Sequence, residues 1–223
     1  MSKLIDNICK EIVRTGKIFA SAHLVEGSWG NISAKVQEKK TIAITPSGRS
    51  YATLEHKDIA LLNYDGKVKK SKYLPSSETA LHLAIYKERP DIRAIIHTHS
   101  VYASACAVAQ KPIIPIMEDI VQIAGGQINV SEYALPGTSD LADNAVKALG
   151  DKNAVLLSMH GLVSCGRNLV EALTVANIVE KTAMIMIFAK QLNPDIETLS
   201  EQDIKVLRKF YLEKYSKIQL VEE

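Results

Sequence analysis

The spacing of short apolar segments in the first third of the chain constrains the fold more than any other feature. Strands are predicted around 30–36 and 41–44, and a further strand pair near 59–69 is turned by Asp65-Gly66. Connections of this length fit hairpins, whereas parallel strands need a crossover of a dozen residues or more. The sequence therefore predicts a central, mostly antiparallel β-sheet rather than a doubly wound parallel one.

Helical patterns precede and follow these strands. Helices are predicted at about 3–22, 77–88, 100–109, 117–124, 139–149, 168–192 and 201–217, with further strands near 92–97, 127–131 and 154–158. A sheet flanked by that many helices indicates an α/β fold with three α/β/α layers. No repeat, low-complexity tract or linker divides the sequence, so residues 1–223 are predicted to form a single domain.

Charge and composition limit the partners and the compartment. Lys and Arg number 27 against 25 Asp and Glu, and the formal net charge of +2 gives no electrostatic reason to expect nucleic acid or an anionic membrane as partner. The charged N-terminus does not resemble a signal peptide, and no run approaches about 18 uninterrupted apolar residues. We therefore expect a cytoplasmic protein with free thiols at Cys9, Cys106 and Cys165.

Two histidines separated by one residue follow the apolar run 92–96. In a strand, residues i and i+2 point to the same face, so His97 and His99 can meet one ion. A buried imidazole without a partner costs free energy, and either a divalent metal or an ordinary hydrogen bond removes that cost. Taken alone, the motif leaves metal ligands and packed core histidines as equal alternatives.

Three short polar segments are candidates for binding an anion. They are Gly30-Asn31-Ile32-Ser33, Thr45-Pro46-Ser47-Gly48 and Pro75-Ser76-Ser77-Glu78. Each combines small residues with backbone N–H groups or hydroxyls, and the third stands at a predicted helix N-terminus, where the helix dipole favours a phosphate. Singly, each segment is more typical of a turn or an N-cap. Together they predict one phosphate site on which the three segments converge.

These motifs, followed by Gly125-Gly126 and His160-Gly161-Leu162, occur in an order that resembles the class II aldolase and adducin-head family over nearly the whole chain. The resemblance implies a divalent cation, usually Zn²⁺, held by Glu78, His97, His99 and His160. Three nitrogens and one carboxylate suit zinc, although Co²⁺ or Mn²⁺ accepts a similar geometry. It also implies that the phosphate of a sugar substrate is bound by Gly30, Asn31, Ser47, Gly48, Ser76 and Ser77.

The reaction that the resemblance implies is the reversible cleavage of a ketose 1-phosphate, such as L-fuculose 1-phosphate. The products would be dihydroxyacetone phosphate and a short aldehyde such as L-lactaldehyde, formed through an enediolate that the metal stabilises. The resemblance gives Glu78 two roles: it is a ligand in the free enzyme, and it leaves the metal when substrate enters to become the base. It further implies a homotetramer with the active site at a subunit boundary.

Some positions depart from the family pattern or leave it open. Asp119 stands where the family has a tyrosine that protonates the aldehyde oxygen, and a one-residue alignment slip would place Glu118 there instead. Both acidic residues also fit a solvated face at a helix start. A second family tyrosine, which reaches the site of an adjacent subunit, corresponds to Tyr211 or Tyr215.

Three functions are therefore compatible with the sequence. The first is an aldolase for fuculose 1-phosphate or another deoxypentulose 1-phosphate, and the second is an isomerase similar to ribulose-5-phosphate 4-epimerase. The third, a non-catalytic adducin-like module, is disfavoured because the four ligand positions are retained. Two further residues are predicted to lie outside the site: His82 as a packed or surface histidine, and Trp29 as a packing anchor.

Overall fold

A seven-stranded antiparallel sheet forms the centre of the fold. The computed structural model describes residues 2–215 of the chain. Its strands are β1 (Asn31–Val36), β2 (Thr41–Ile44), β3 (Ala60–Leu62), β4 (Val68–Lys70), β5 (Ala94–Thr98), β6 (Ala154–Leu157) and β7 (Gly161–Gly166). The strand order is β4-β3-β2-β1-β5-β7-β6, and each neighbouring pair is antiparallel. The predicted antiparallel sheet is confirmed.

Helices cover both faces of this sheet. They are α1 (Lys3–Ser21), α2 (Thr79–Glu88), α3 (Val101–Val108), α4 (Glu118–Ala124), α5 (Ser139–Leu149), α6 (Leu169–Leu192) and α7 (Glu201–Phe210). Side chains alternate across a strand, so Ile96 of β5 packs in an apolar cluster with α1, α3, α4 and α6, whereas Ile95 packs with α2 and α5. The predicted three-layer α/β/α arrangement is confirmed.

Two strand predictions differ from the structure. The strand predicted at 127–131 is wrong, because Ile128 and Val130 make isolated bridges to two different partners, Ile113 and Leu156, and no continuous ladder forms. Conversely, β7 was not predicted. All six of its residues are buried, so it lacks the polar and apolar alternation of a half-exposed strand, and glycines at both ends imitate turns.

The long apolar helix α6 forms much of the core on one side of the sheet. By length and composition it could cross a membrane. Its buried residues include Val175, Val179 and Ala183, which recur at a spacing of four and pack in the same cluster as Ile96 of β5. Packing against the sheet accounts for this stripe, whereas Phe188 and Leu192 of the same helix are exposed.

The last helix is shorter than the predicted span 201–217. After α7 the chain turns through a π-helical segment, Tyr211–Tyr215, and residues 216–217 lie outside the described part. Tyr211 is only 2% exposed, and its hydroxyl donates to Oε1 of Glu171 at 2.9 Å. The same carboxylate accepts hydrogen bonds from Arg167. A buried, charge-assisted contact therefore fastens the C-terminal segment to α6.

We predict that Tyr211→Phe lowers the free energy of unfolding by about 2 kcal/mol, because it removes a buried hydrogen bond to a carboxylate. Urea unfolding at a fixed protein concentration measures this change. Tyr215→Phe is the matched control, since Tyr215 is 47% exposed. Equal unfolding midpoints for the two variants would contradict the assigned role of the Tyr211 hydroxyl.

Candidate active site

Three histidine side chains meet at one end of the central strands. His97 lies in β5, His99 follows that strand, and His160 lies in the tight turn between β6 and β7. Nε2 of His97 is 2.9 Å from Nε2 of His99 and 3.3 Å from Nε2 of His160. The potential ligand atoms of the three residues all lie within 4.8 Å of one another.

Glycine at position 161 allows His160 to approach the other two histidines. Because β7 pairs with β5, Leu162 lies opposite Thr98. A Cβ atom at Gly161 would collide with the backbone carbonyl oxygen of Thr98. The absent side chain therefore lets the turn that carries His160 close over the end of β5.

Glu78 completes this cluster from the start of helix α2. It is the N-cap residue of α2 and is 6% exposed. Its Oε2 lies 3.2 Å from Nε2 of His97, and its Oε1 lies 3.5 Å from Nε2 of His160. Burial acts to raise the pKa of Glu78, but the neighbouring imidazoles and the side-chain amide of Asn31 outweigh burial and hold that pKa below its usual value. Glu78 is therefore a carboxylate at neutral pH.

The chemistry of this donor set fits a divalent cation. The carbonyl oxygen of Leu162 can only accept, so Nδ1–H of His97 donates to it at 3.0 Å, and Nε2 of His97 presents a lone pair to the cluster. Burial lowers the pKa of His97 to about 4 and also lowers that of His99, which keeps both rings neutral. The lone pair on Nε2 of His97 faces the carboxylate of Glu78, and the two repel unless a positive charge lies between them.

A buried carboxylate oxygen without a hydrogen-bond partner points to the same conclusion. Oε1 of Glu78 is buried and has no hydrogen-bond partner among the described residues. Buried carboxylate oxygens without a partner are costly, and coordination to a metal removes that cost. Glu78, His97, His99 and His160 together therefore have the composition and burial of a divalent-metal site, and they are the set that the family resemblance implied.

The three polar segments predicted to bind phosphate lie side by side. The backbone N–H of Thr45 donates to the carbonyl of Ile32 at 3.0 Å, and that of Ser76 donates to the carbonyl of Thr45 at 3.1 Å. Ser47, Ser76 and Ser77 line one surface cavity. The fold therefore brings these hydroxyls into one region, next to the helix N-terminus that carries Glu78.

Two members of the predicted phosphate set also have contacts inside the cluster. Gly30 has a positive φ of 78°, and a Cβ atom there would lie 2.5 Å from the carbonyl oxygen of His97. The side chain of Asn31 is buried, and its Nδ2 donates to Oε2 of Glu78 at 2.7 Å. Its Oδ1 lies 2.5 Å from Nε2 of His82. The Asn31 side chain thus contacts the carboxylate of Glu78 directly.

Asp119 lies in the first turn of α4, and its side chain is 33% exposed. It forms an ion pair with Lys181 of α6, and its Oδ1 accepts the backbone N–H of Ile120 at 2.8 Å. Glu118 is exposed. Within residues 2–215, the contacts of Asp119 run to Lys181 and to its own helix rather than to the histidine cluster. A role for Asp119 stays a prediction.

Two residues that the sequence placed outside the site contact it. The prediction of Trp29 as a packing anchor is wrong for the described chain, because its side chain is 67% exposed. The indole ring centre lies 5.9 Å from that of His99. His82 is fully buried, as one alternative predicted, but it binds Asn31. Its spacing of four from Glu78 on one helix was the available signal.

Comparisons with known proteins indicate the family of the chain. A family model described as Class II Aldolase and Adducin N-terminal domain matches residues 10–187. The chain is 37% identical over 200 residues to a 5-deoxy-D-ribulose 1-phosphate aldolase of Bacillus thuringiensis serovar kurstaki, covering 90% of this chain and 93% of that protein. It is 34% identical over 211 residues to an L-fuculose phosphate aldolase of Escherichia coli O6:H1, covering 94% of each.

Solved structures give the same result. An L-fuculose 1-phosphate aldolase that is 34% identical in sequence matches this fold with a TM-score of 0.89. The match covers 92% of this chain and 96% of that one. Fold, ordered motifs and overall sequence therefore point to one family.

Trp29 provides a direct measurement of cation binding, because it is the sole tryptophan and its indole lies beside His99. We predict that Co²⁺ added to chelator-treated protein quenches the tryptophan fluorescence, and that Zn²⁺ competes with this effect. His99→Ala should raise the Co²⁺ concentration needed at least about tenfold, since a ligand is lost. His56→Ala is the matched control at an exposed histidine. Equal quenching curves for the two variants would contradict the assignment.

Proposed function

The chain belongs to the Class II Aldolase and Adducin N-terminal domain family, and on that basis we propose that it is a metal-dependent aldolase for a deoxyketose 1-phosphate. Suitable substrates are L-fuculose 1-phosphate and 5-deoxy-D-ribulose 1-phosphate, each of which would yield dihydroxyacetone phosphate and a short aldehyde. The observation that carries the proposal is the ionised Glu78 facing three imidazoles beside the hydroxyl-rich segments. An adducin-like binding module would not need this set.

The cation would be held by Glu78, His97, His99 and His160, with Zn²⁺ the ion that best suits these donors. When bound, it supplies stabilisation of the negative charge that develops on the ketone and hydroxyl oxygens of the three-carbon fragment. A lysine that forms a Schiff base is then unnecessary. The site residues are thus proposed as a closed set of four from which Glu78 can withdraw when substrate enters.

Glu78 is the proposed base. In the aldol direction its carboxylate accepts a proton from the carbon beside the ketone, and in the cleavage direction it returns that proton. The low pKa of Glu78 keeps it ionised before the reaction. Asn31 holds Oε2, whereas Oε1 has no hydrogen-bond partner among the described residues and is the oxygen available for the proton.

The substrate phosphate is proposed to bind at Gly30, Asn31, Ser47, Gly48, Ser76 and Ser77. Support comes from the hydrogen bonds that join their three segments and from the shared cavity lined by the serines. Fixing a remote phosphate while the cation binds the reacting end restricts the substrate to one orientation, which can supply a large share of the rate.

We propose a cytoplasmic homotetramer in which one subunit completes the site of its neighbour. Asp119, which pairs with Lys181 in its own chain, is proposed to take the role of the family tyrosine at the aldehyde oxygen. Tyr211 is engaged by Glu171, which leaves the exposed Tyr215 as the second such residue. Trp29 and Met159, exposed beside the histidines, are apolar surface that a neighbouring subunit or the substrate aldehyde end would cover.

The first test is product formation. Zinc-loaded protein is expected to release dihydroxyacetone phosphate from at least one of L-fuculose, L-rhamnulose and 5-deoxy-D-ribulose 1-phosphates, followed by coupled oxidation of NADH. Glu78→Gln should lower kcat by at least about 100-fold, because the isosteric amide cannot accept the proton. Glu132→Gln, at a side chain that is 76% exposed, is the control. Full activity of Glu78→Gln would exclude Glu78 as the base.

An NMR assay separates the aldolase from the epimerase. Ribulose 5-phosphate incubated with the protein is followed by NMR, and we expect no xylulose 5-phosphate; its appearance without dihydroxyacetone phosphate would support the epimerase instead.

In the aldolase assay Asp119→Asn should lower kcat at least about tenfold, as loss of a proton-transfer group does. Glu118→Gln should leave kcat unchanged. The reverse result would move the role to Glu118.

A further inference from the structure

A series of buried hydrogen bonds leads from Glu78 into the layer between the sheet and α2. Nδ2 of Asn31 donates to Oε2 of Glu78 at 2.7 Å, and Oδ1 of Asn31 lies 2.5 Å from Nε2 of His82. Oγ of Ser33 lies 2.6 Å from Nδ1 of His82 and 2.8 Å from the Tyr86 hydroxyl. Asn31, Ser33, His82 and Tyr86, hereafter the buried network, are all nine-tenths or more buried.

Two regular spacings create the buried network. Asn31 and Ser33 are two apart on β1 and therefore point to the same face of the sheet. Glu78, His82 and Tyr86 are four apart along the start and body of α2 and form one stripe along that helix. The stripe and the strand face are packed against each other, so the polar groups pair in order from the site towards the core.

The direction of every hydrogen bond in the buried network is set by the carboxylate. Ionised Glu78 can only accept, so Asn31 must present its NH₂ group there and its Oδ1 to His82. Oδ1 can only accept, so His82 carries its proton on Nε2 and leaves Nδ1 bare. Ser33 must then donate to Nδ1, and its oxygen can accept from the Tyr86 hydroxyl, which also lies 3.4 Å from the carbonyl oxygen of Arg93. Burial, which lowers the pKa of His82 to about 3, is consistent with this neutral ring.

We propose that His82 is a positioning residue for Glu78, acting through the amide of Asn31. With the opposite tautomer of His82, or with the Asn31 amide rotated, two acceptors would face each other, which a buried site disfavours. Ser33 satisfies the bare Nδ1 of the tautomer that the carboxylate sets, and its hydroxyl lies beside that of Tyr86. The result is that Oε2 of Glu78 is held while Oε1 is left free to accept the proton.

This proposal rests on the proposed role of Glu78, and it makes a distinct claim about Asn31. If the Asn31 side chain serves mainly to bind phosphate, weakening its orientation should raise KM. If it orients Glu78, the same change should lower kcat and weaken cation binding with little effect on KM. The division between kcat and KM therefore distinguishes the two roles.

Ser33→Ala is the most selective test, because it removes one oxygen from the buried network without touching Asn31 or Glu78. We expect kcat to fall about tenfold, KM to change less than about twofold, and the dissociation constant for Zn²⁺, measured by chelator competition, to rise about tenfold. Tyr86→Phe should give a smaller change in the same direction, because the Ser33 hydroxyl can still donate to His82. It also provides the test if Ser33→Ala fails to fold.

Ser164→Ala is the matched control. Ser164 is also fully buried in the sheet, but its hydroxyl hydrogen-bonds the backbone carbonyls of Ile96 and Ala172, at 3.2 and 3.0 Å, and has no link to Glu78. Its loss should leave kcat and the Zn²⁺ dissociation constant within about twofold of the parent. In an Asn31→Ala background, Ser33→Ala should have no additional effect on Zn²⁺ affinity, because the connecting amide is gone.

Three outcomes would overturn the proposal: Ser33→Ala and Ser164→Ala behave alike, Ser33→Ala raises KM at constant kcat, or its effect on Zn²⁺ affinity persists undiminished without Asn31. Absence of aldolase activity in the parent protein would refute the proposed function alone. The Zn²⁺ measurements would still decide whether the buried network positions Glu78.

Discussion

The antiparallel pairing of β5 with both of its neighbours is the constraint on which the site depends. It sets Asn31 of β1 opposite His97, and Val163 of β7 opposite His97 on the other side. A shift of one residue in either pairing would turn the side chains of that strand to the opposite face. A Cβ atom at Gly30 would collide with the carbonyl oxygen of His97, and one at Gly161 with the carbonyl oxygen of Thr98. Glycine at both positions therefore permits these close approaches to β5.

The site combines groups that oppose folding when they are left without a cation. Glu78 and His97 are almost wholly buried, and Nε2 of His97 lies 3.2 Å from Oε2 of Glu78. Desolvating these groups costs free energy that the apolar layers on both sides of the sheet must offset. A divalent ion bound there would satisfy them in the folded state only, so binding and folding stability would be coupled.

Local signals accounted for most of what the sequence predicted. Hairpin-length connections indicated the antiparallel sheet, and helical periodicity located the seven helices, because both depend on neighbours within a few residues. The segment Gly161–Gly166 was missed because a strand buried on both faces has no alternation to detect. Trp29 was misassigned because the burial of an aromatic side chain depends on contacts with residues distant in sequence. Here the indole lies beside His99 and stays 67% exposed.

His82 shows how two periodic patterns become informative only in combination. Along α2 it continues the stripe that begins at Glu78, and a histidine on a buried helix face has no local explanation. Along β1, Asn31, Ser33 and Lys35 form the polar face of an alternating strand, yet Asn31 and Ser33 are buried. Each element therefore buries polar side chains that a solvated face would expose, and these side chains pair once the two elements pack together. Polar residues that are buried on two packed elements at once are therefore a stronger indication of function than either element alone.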